Sequence, residues 1–150
     1  LFEHAWAMAC QIGDVCWQTL SLRGLGLITA ERGCPVEAID QLSEAPTHCR
    51  RLPDAYRWAE AYALEGLVGV AVKTGDDRAW TWLAQLDAIA SRHGFREFQA
   101  RAHLHRADLG EHDAWQLGAL VAAEIDNPLL ARDVAAREHS CGTPIDQVGT

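Results

Sequence analysis

At 150 residues the chain is long enough for one domain with a real core, and 49% hydrophobic against 23% charged residues excludes wholesale disorder. Thirteen Lys and Arg against 21 Asp and Glu leave a formal charge of −8, which argues against nucleic acid, because phosphate binding needs a cationic face. No apolar run approaches the length that spans a bilayer and no basic-then-apolar leader begins the chain, so a cytoplasmic location without membrane contact is expected. Leu1 is not an initiator and the only methionine is Met8, so the sequence is expected to be part of a longer protein.

In chain order, residues 2–12 read as a helix with Phe2, Trp6, Ala9 and Cys10 toward the core. Gly13-Asp14 breaks it, since glycine ends a helix and aspartate caps the next. Residues 17–45 then form a complete helical hairpin. Leu22, Leu25, Ile28 and Thr29 make one stripe by their three-and-four spacing. Gly26 lies inside that stripe, where glycine costs about 1 kcal/mol of helix propensity and therefore implies close approach of a neighbouring helix. Gly33-Cys34-Pro35 stops the first helix and starts the second, which carries Ala38, Leu42 and Ala45 and runs to about residue 51.

Leu52-Pro53-Asp54 is the next break. A helix over 55–73 follows with Trp58, Leu64, Leu67 and Val68, then a stop at Thr74-Gly75-Asp76-Asp77. Residues 78–92 carry Trp80, Leu83, Ala84, Leu86 and Ile89, and His93-Gly94 closes them. Further helices are expected over 95–109, 111–125 and 129–139, the last begun by Asp126-Asn127-Pro128. From 140 on, with Gly142, Pro144 and Gly149, the chain reads as a tail. No stretch alternates as a strand would, so the class is all-α. One helical domain over 1–139 is expected, with hairpins at 14–51, 54–93 and 95–126, flanking helices at 2–12 and 128–139, and the tail at 140–150.

The breaks recur at a fixed period. Asp14, Asp54 and Phe95 open successive hairpins 40 and 41 residues apart, each followed by an aromatic: Trp17, Trp58 and Phe98. The turns inside the hairpins are Gly33, Gly75 and Gly110. Five residues beyond them stand Ala38, Trp80 and Trp115, expected to fit against the preceding helix. Gly-Asp-Asp-Arg-Ala-Trp in the second copy matches Gly-Glu-His-Asp-Ala-Trp in the third. Such a period describes stacked helical hairpins.

On Leu22, Leu25-Gly26, Thr29, Gly33, Ala38, Leu42 and Ala45 the first copy resembles tetratricopeptide-like repeats, although its units run near 40 residues instead of 34. The segments Arg92-His93-Gly94-Phe95-Arg96-Glu97, Leu104-His105-Arg106-Ala107-Asp108-Leu109-Gly110 and Glu124-Ile125-Asp126-Asn127-Pro128 resemble the C-terminal repeats of large bacterial signalling ATPases of the STAND class, transcriptional regulators among them. The resemblance implies a right-handed α-α superhelix of about three hairpins, acting as a sensor or protein-binding arm while the ATPase and DNA-binding parts lie elsewhere.

Little in the chain reads as chemistry. There is no Gly-x-x-x-x-Gly-Lys-Ser/Thr loop, no Gly-x-Ser-x-Gly elbow and no kinase signature, so neither an enzyme nor a cofactor is expected. His103, His105, Asp108, Glu111, His112 and Asp113 form the one cluster with metal-ligand residue types. His103 and His105 diverge by roughly 200° on a helix and the turn at Gly110 intervenes, so a polar helix end and a solvated turn, with no metal, is the expectation. Glu31, Glu37, Asp40 and Glu44 suit a solvated outer face. Trp6, Trp17, Trp58, Trp80 and Trp115 fall at helix-packing positions, while Trp82, two residues from Trp80, should face elsewhere. The five cysteines, Cys10, Cys16, Cys34, Cys49 and Cys141, read as reduced, mostly buried thiols, with Cys10 and Cys16 the pair best placed for redox sensing.

A binding module is therefore expected, its partner a protein or peptide segment; a small-molecule sensor is the second reading. The resemblance places the groove on the first helix of each hairpin: Leu20, Arg23, Leu27 and Ala30, then Tyr62, Glu65, Gly69 and Val72, then Glu97, Ala100, Leu104 and Ala107. Its principal residues are Arg23, Leu27, Tyr62, Glu65, Glu97 and Leu104. Arg23 is read in two ways, as the partner of a ligand carboxylate or as the partner of Glu65 across adjacent hairpins. The first helix lacks a hairpin partner, so self-association through that end is also expected.

Overall fold

The computed structural model describes residues 1–50 and 56–141, without the side chains of residues 140 and 141. Eight helices account for the secondary structure of the described residues: α1 (Phe2–Ile12), α2 (Val15–Glu31), α3 (Pro35–Arg50), α4 (Arg57–Thr74), α5 (Ala79–His93), α6 (Arg96–Asp108), α7 (Ala114–Ala122) and α8 (Pro128–Cys141). The protein is all-α. The expected breaks near 13, 33, 75, 94, 110 and 127 all fall between helices, whereas the one at 53 and the tail from 142 lie outside the described residues.

Local chemistry sets these limits. Asp14 Oδ1 accepts the Trp17 backbone N–H at 3.0 Å and so caps α2. Gly75 ends α4 in the left-handed region at φ 69°, with its N–H returned to the last turn. Asn127 Oδ1 accepts from the Leu129 and Leu130 N–H groups at the start of α8. Two helices differ from expectation in length. α7 ends at Ala122, since Glu124 and Ile125 turn back onto Val121 and Ala122, and α8 continues to Cys141.

Each helix packs on the next in the chain where both are described, and α2, α4, α6 and α8 also pack on one another in succession. The even-numbered helices thus form one layer and α3, α5 and α7 a second. Between the layers run clusters built on Leu64, Val68, Leu83, Leu86 and Phe98, and on Ala38, Ile39, Leu42, Leu67 and Val70. A third, around Leu104 and Leu130, closes the C-terminal end. Gly26 serves the close approach its place in the stripe implied: a Cβ there would stand 2.5 Å from Leu42 Cγ and 3.3 Å from the Ala38 carbonyl oxygen. Glu60, buried on α4, receives Arg50 from α3 and Arg57 from its own helix, which staples the layers at that end.

Several side chains stand elsewhere than expected. Ile28 is exposed, because α3 and α4 cover α2 on the side of Leu22 and Gly26, and on α1 Phe2 is partly and Cys10 largely exposed. The two tryptophans of α5 exchange roles: Trp80 is 43% exposed, while Trp82 packs against both interlayer clusters with the Arg78 guanidinium over its ring. The register explains it. The buried small residue is Ala38 in the first copy, but in the later copies it is Ala79 and Ala114, one position before the tryptophan. Trp17 and Trp58 are likewise exposed. Among the described side chains, which do not include that of Cys141, the thiols are not mostly buried: Cys10 and Cys34 are exposed, Cys16 is half-buried and Cys49 is buried. Burial is the main force raising the pKa of both Cys16 and Cys49. Glu31, Glu37, Asp40 and Glu44 are solvated as expected.

A trough across the even-numbered helices

The layer of even-numbered helices leaves one face uncovered, and helical spacing of three and four gathers particular side chains on it. α2 contributes Arg23 and Leu27; α4 contributes Tyr62, Glu65, Gly66 and Gly69; α6 contributes Glu97, Arg101, Leu104 and His105; α8 contributes Asp133 and Arg137. Two depressions result, both lined by Arg23. The larger, of about 440 Å³, lies toward the C-terminal halves of α2, α4 and α6. The smaller, of about 370 Å³, lies toward their N-terminal ends and is walled by Phe2, Leu20, Trp58, Tyr62 and Phe98.

Glu65 is the electrostatic centre. Arg23 Nη2 donates to its Oε2 at 2.8 Å, His105 Nε2 stands 3.6 Å from its Oε1, and Arg101 Nη1 is 4.0 Å from the same oxygen. Burial alone would raise the Glu65 pKa, but His105 and Arg23 outweigh it and hold the carboxyl at about 2. The Arg23 contact is the firmer of the two, a hydrogen bond at 2.8 Å against a separation of 3.6 Å for His105.

Arg23 is held on three sides. Its Nε donates to the Tyr62 carbonyl at 2.8 Å, and its guanidinium lies 3.8 Å from the centre of the Tyr62 ring. A Cβ at position 66 would come within 2.9 Å of Arg23 Nε, so glycine in the middle of α4 is what admits the side chain. Arg101 reaches Glu97 at 3.0 Å and Asp133 at 3.4 Å, tying α6 to α8. Burial disfavours its charge, but Glu65, Glu97 and Asp133 more than offset this and raise its pKa. Arg137 closes the trough with two bonds to Asp108. His105 sits between Glu65 and Asp108, its side chain 10% exposed, with neither ring nitrogen in a hydrogen bond.

All six principal residues expected in the groove line these depressions: Leu27, Glu65 and Leu104 the larger, Tyr62 and Glu97 the smaller, and Arg23 both. Leu20, Ala30 and Gly69 line them too. Val72, Ala100 and Ala107 instead turn into the packing between helices. Of the two readings of Arg23, the structure realises the pair with Glu65, so its Nε and Nη2 edge is engaged within the chain.

Lys73, Arg101, Asp133 and Arg137 carry no role in the sequence reading. His105, expected at a solvated helix end, is instead buried in the wall of the larger depression. His112, its companion in that cluster, is exposed; His103 is half-buried, and burial lowers its pKa. Among the described residues no three His, Cys, Asp or Glu side chains are arranged to hold a metal ion, and no helix is long and apolar enough to cross a membrane.

Comparison with known proteins returns no match, whether to a family model, a curated protein or a solved structure.

Proposed function

We propose that the chain is a non-enzymatic helical-repeat module that binds a protein or peptide segment in this trough. In this reading α2/α3, α4/α5 and α6/α7 are three tetratricopeptide-like hairpins of a right-handed superhelix, and the module is the interaction arm of a larger bacterial signalling or transcriptional regulator. It carries no cofactor and works in the cytoplasm. The observation that carries the proposal is that two open depressions, sharing Arg23, lie along one face of α2, α4 and α6, with the larger reaching α8. An open channel of that kind suits a chain segment better than an enclosed small molecule. The exposed apolar side of α1, with Met8 and Ile12, supports self-association through that end.

A second reading, a small-molecule sensor, draws on His105, a buried imidazole facing a 440 Å³ cavity without a hydrogen bond. The two readings separate on a library of random nine-residue peptides displayed between constant linkers. Panning should enrich sequences on the parent domain and not on a Tyr62→Ala variant that still melts cooperatively. If nothing is enriched on the parent over linker alone, peptide binding is wrong.

A further inference from the structure

The two depressions differ in chemistry, and that difference bears on what a bound peptide would have to look like. The smaller is aromatic. Trp58 stacks on Tyr62 at 5.1 Å between ring centres with planes 16° apart, and Phe98 lies 6.2 Å from Trp58. Trp58 remains 51% exposed beside this concavity.

The larger depression is ionic. Arg23, Lys73, Arg101 and Arg137 line it with Glu31, Glu65 and Asp133, while Glu97 and Asp108 hold Arg101 and Arg137 from its edge. Its charges are not all consumed internally. Arg23 bonds through Nε and Nη2, and Arg101 through Nε and Nη1, which leaves Nη1 of the first and Nη2 of the second without a hydrogen bond among the described residues. Lys73 is 77% exposed and only 3.9 Å from its nearest acid, Glu31. Independently, His105 lies nine-tenths buried on the same cavity with both ring nitrogens unbonded. The free Nη groups of Arg23 and Arg101, beside the exposed Lys73 ammonium, are donors that an oxyanion would complement.

The separation of the two depressions sets a register. Tyr62 and Gly69, against which the His105 ring stands, are seven positions apart on α4, or about 10 Å along the axis at ~1.5 Å per residue. An extended or polyproline-II chain covers that in three residues, and four reach about 13 Å.

We propose that the trough reads a peptide at two points: a large apolar side chain against Trp58 and Tyr62, and an internal Asp or Glu three or four positions away at Arg23, Arg101 and Lys73. This rests on the peptide-binding reading above and gives it a sequence rule. The same internal-peptide library tests it, since the constant linkers remove any free C-terminal carboxylate. Enriched sequences should pair an apolar residue with an acid at that spacing, in either order. In a synthetic consensus peptide, acid-to-amide replacement should weaken binding to the parent by about tenfold or more.

Trp58→Ala should abolish selection at the apolar position alone, and Lys73→Glu selection at the acidic position alone. Lys73 is largely exposed, whereas Trp58 stacks on Tyr62, so the Trp58→Ala protein is panned only after it is shown to unfold cooperatively. Enriched peptides with no acid, a basic residue in its place, or no fixed spacing would overturn the two-point rule while leaving peptide binding intact. Enrichment only from a parallel library with free C-termini would also overturn it, because the oxyanion would then be the chain end. An empty selection would refute the peptide-binding reading itself.

Discussion

Replacing Glu65 by Gln isolates the carboxylate at the centre of the trough, because the amide keeps the shape and an acceptor but loses the charge. Four groups bear on that carboxylate: Arg23 from α2, Arg101 and His105 from α6, and Asp133, which shares Arg101, from α8. Its pKa is about 2 when folded against an ordinary 4.5. Since the folded value is depressed, the stabilisation is complete above pH 4.5 and is lost as pH falls toward 2. The difference corresponds to about 3 kcal/mol at neutral pH, and it shrinks to roughly 1 kcal/mol at pH 3. With a urea dependence of about 2 kcal/mol per molar, Glu65→Gln should lower the unfolding midpoint by about 1.5 M at pH 7. Parallel urea titrations of parent and variant, followed by circular dichroism at pH 7, 5 and 3, measure it. Midpoints that differ equally at all three values would refute the reasoning, since the loss would then be one of shape and not of charge.

Three further outcomes follow from packing. Gly26→Ala should destabilise by about 1–3 kcal/mol, although alanine is the better helix former, because its Cβ would meet Leu42 Cγ at 2.5 Å; a thermal melt above that of the parent would contradict the contact. Trp82→Ala should cost about 3–5 kcal/mol and Trp80→Ala far less, and equal losses in chemical denaturation would restore the opposite assignment of the two rings. If the exposed side of α1 mediates self-association, Ile12→Glu with Met8→Glu should shift sedimentation toward monomer at high concentration, and an already monomeric parent would remove the basis for it.

How much of this could be read in advance depended on what each residue was responding to. Turn chemistry is local, so Gly13-Asp14, Gly33-Cys34-Pro35 and Asn127-Pro128 announced their breaks plainly. Gly26 was legible for a similar reason, because glycine within a helical stripe has few explanations other than close approach. The tryptophans were not, since a shift of one residue after the turn rotates Trp80 outward and brings Trp82 inward, and turn length does not fix that phase. Three groove positions failed on α6 and α4 because Val72, Ala100 and Ala107 were placed by analogy with a repeat whose unit is shorter. The acidic and basic residues of α8 were out of reach: nothing local says that Asp133 and Arg137 return to a surface begun at Arg23.

α4 shows why the trough exists at all. It packs against α2, α3, α5 and α6, which is possible because Ala59, Ala61, Ala63, Gly66 and Ala71 let those helices come close. The side left open runs as a narrow strip through Trp58, Tyr62, Glu65, Gly69 and Lys73. For stability alone that strip has no need of ions, since a buried ion pair is weak evidence of stabilisation and matched apolar replacements are often neutral or better. The pair should therefore behave differently when broken and when removed. Glu65→Leu takes from Arg23 its only carboxylate among the described residues, and Arg23→Met leaves Glu65 only the longer contacts to His105 and Arg101, so either change alone should cost about 3–5 kcal/mol. The double variant should return to within about 1 kcal/mol of the parent, a coupling that a double-mutant cycle reads directly. If the charges serve ligand recognition, that restored protein should fold normally and bind a peptide selected on the parent at least tenfold more weakly. A double variant as unstable as the sum of the singles would mean instead that the Arg23–Glu65 pair is there to hold α2 to α4.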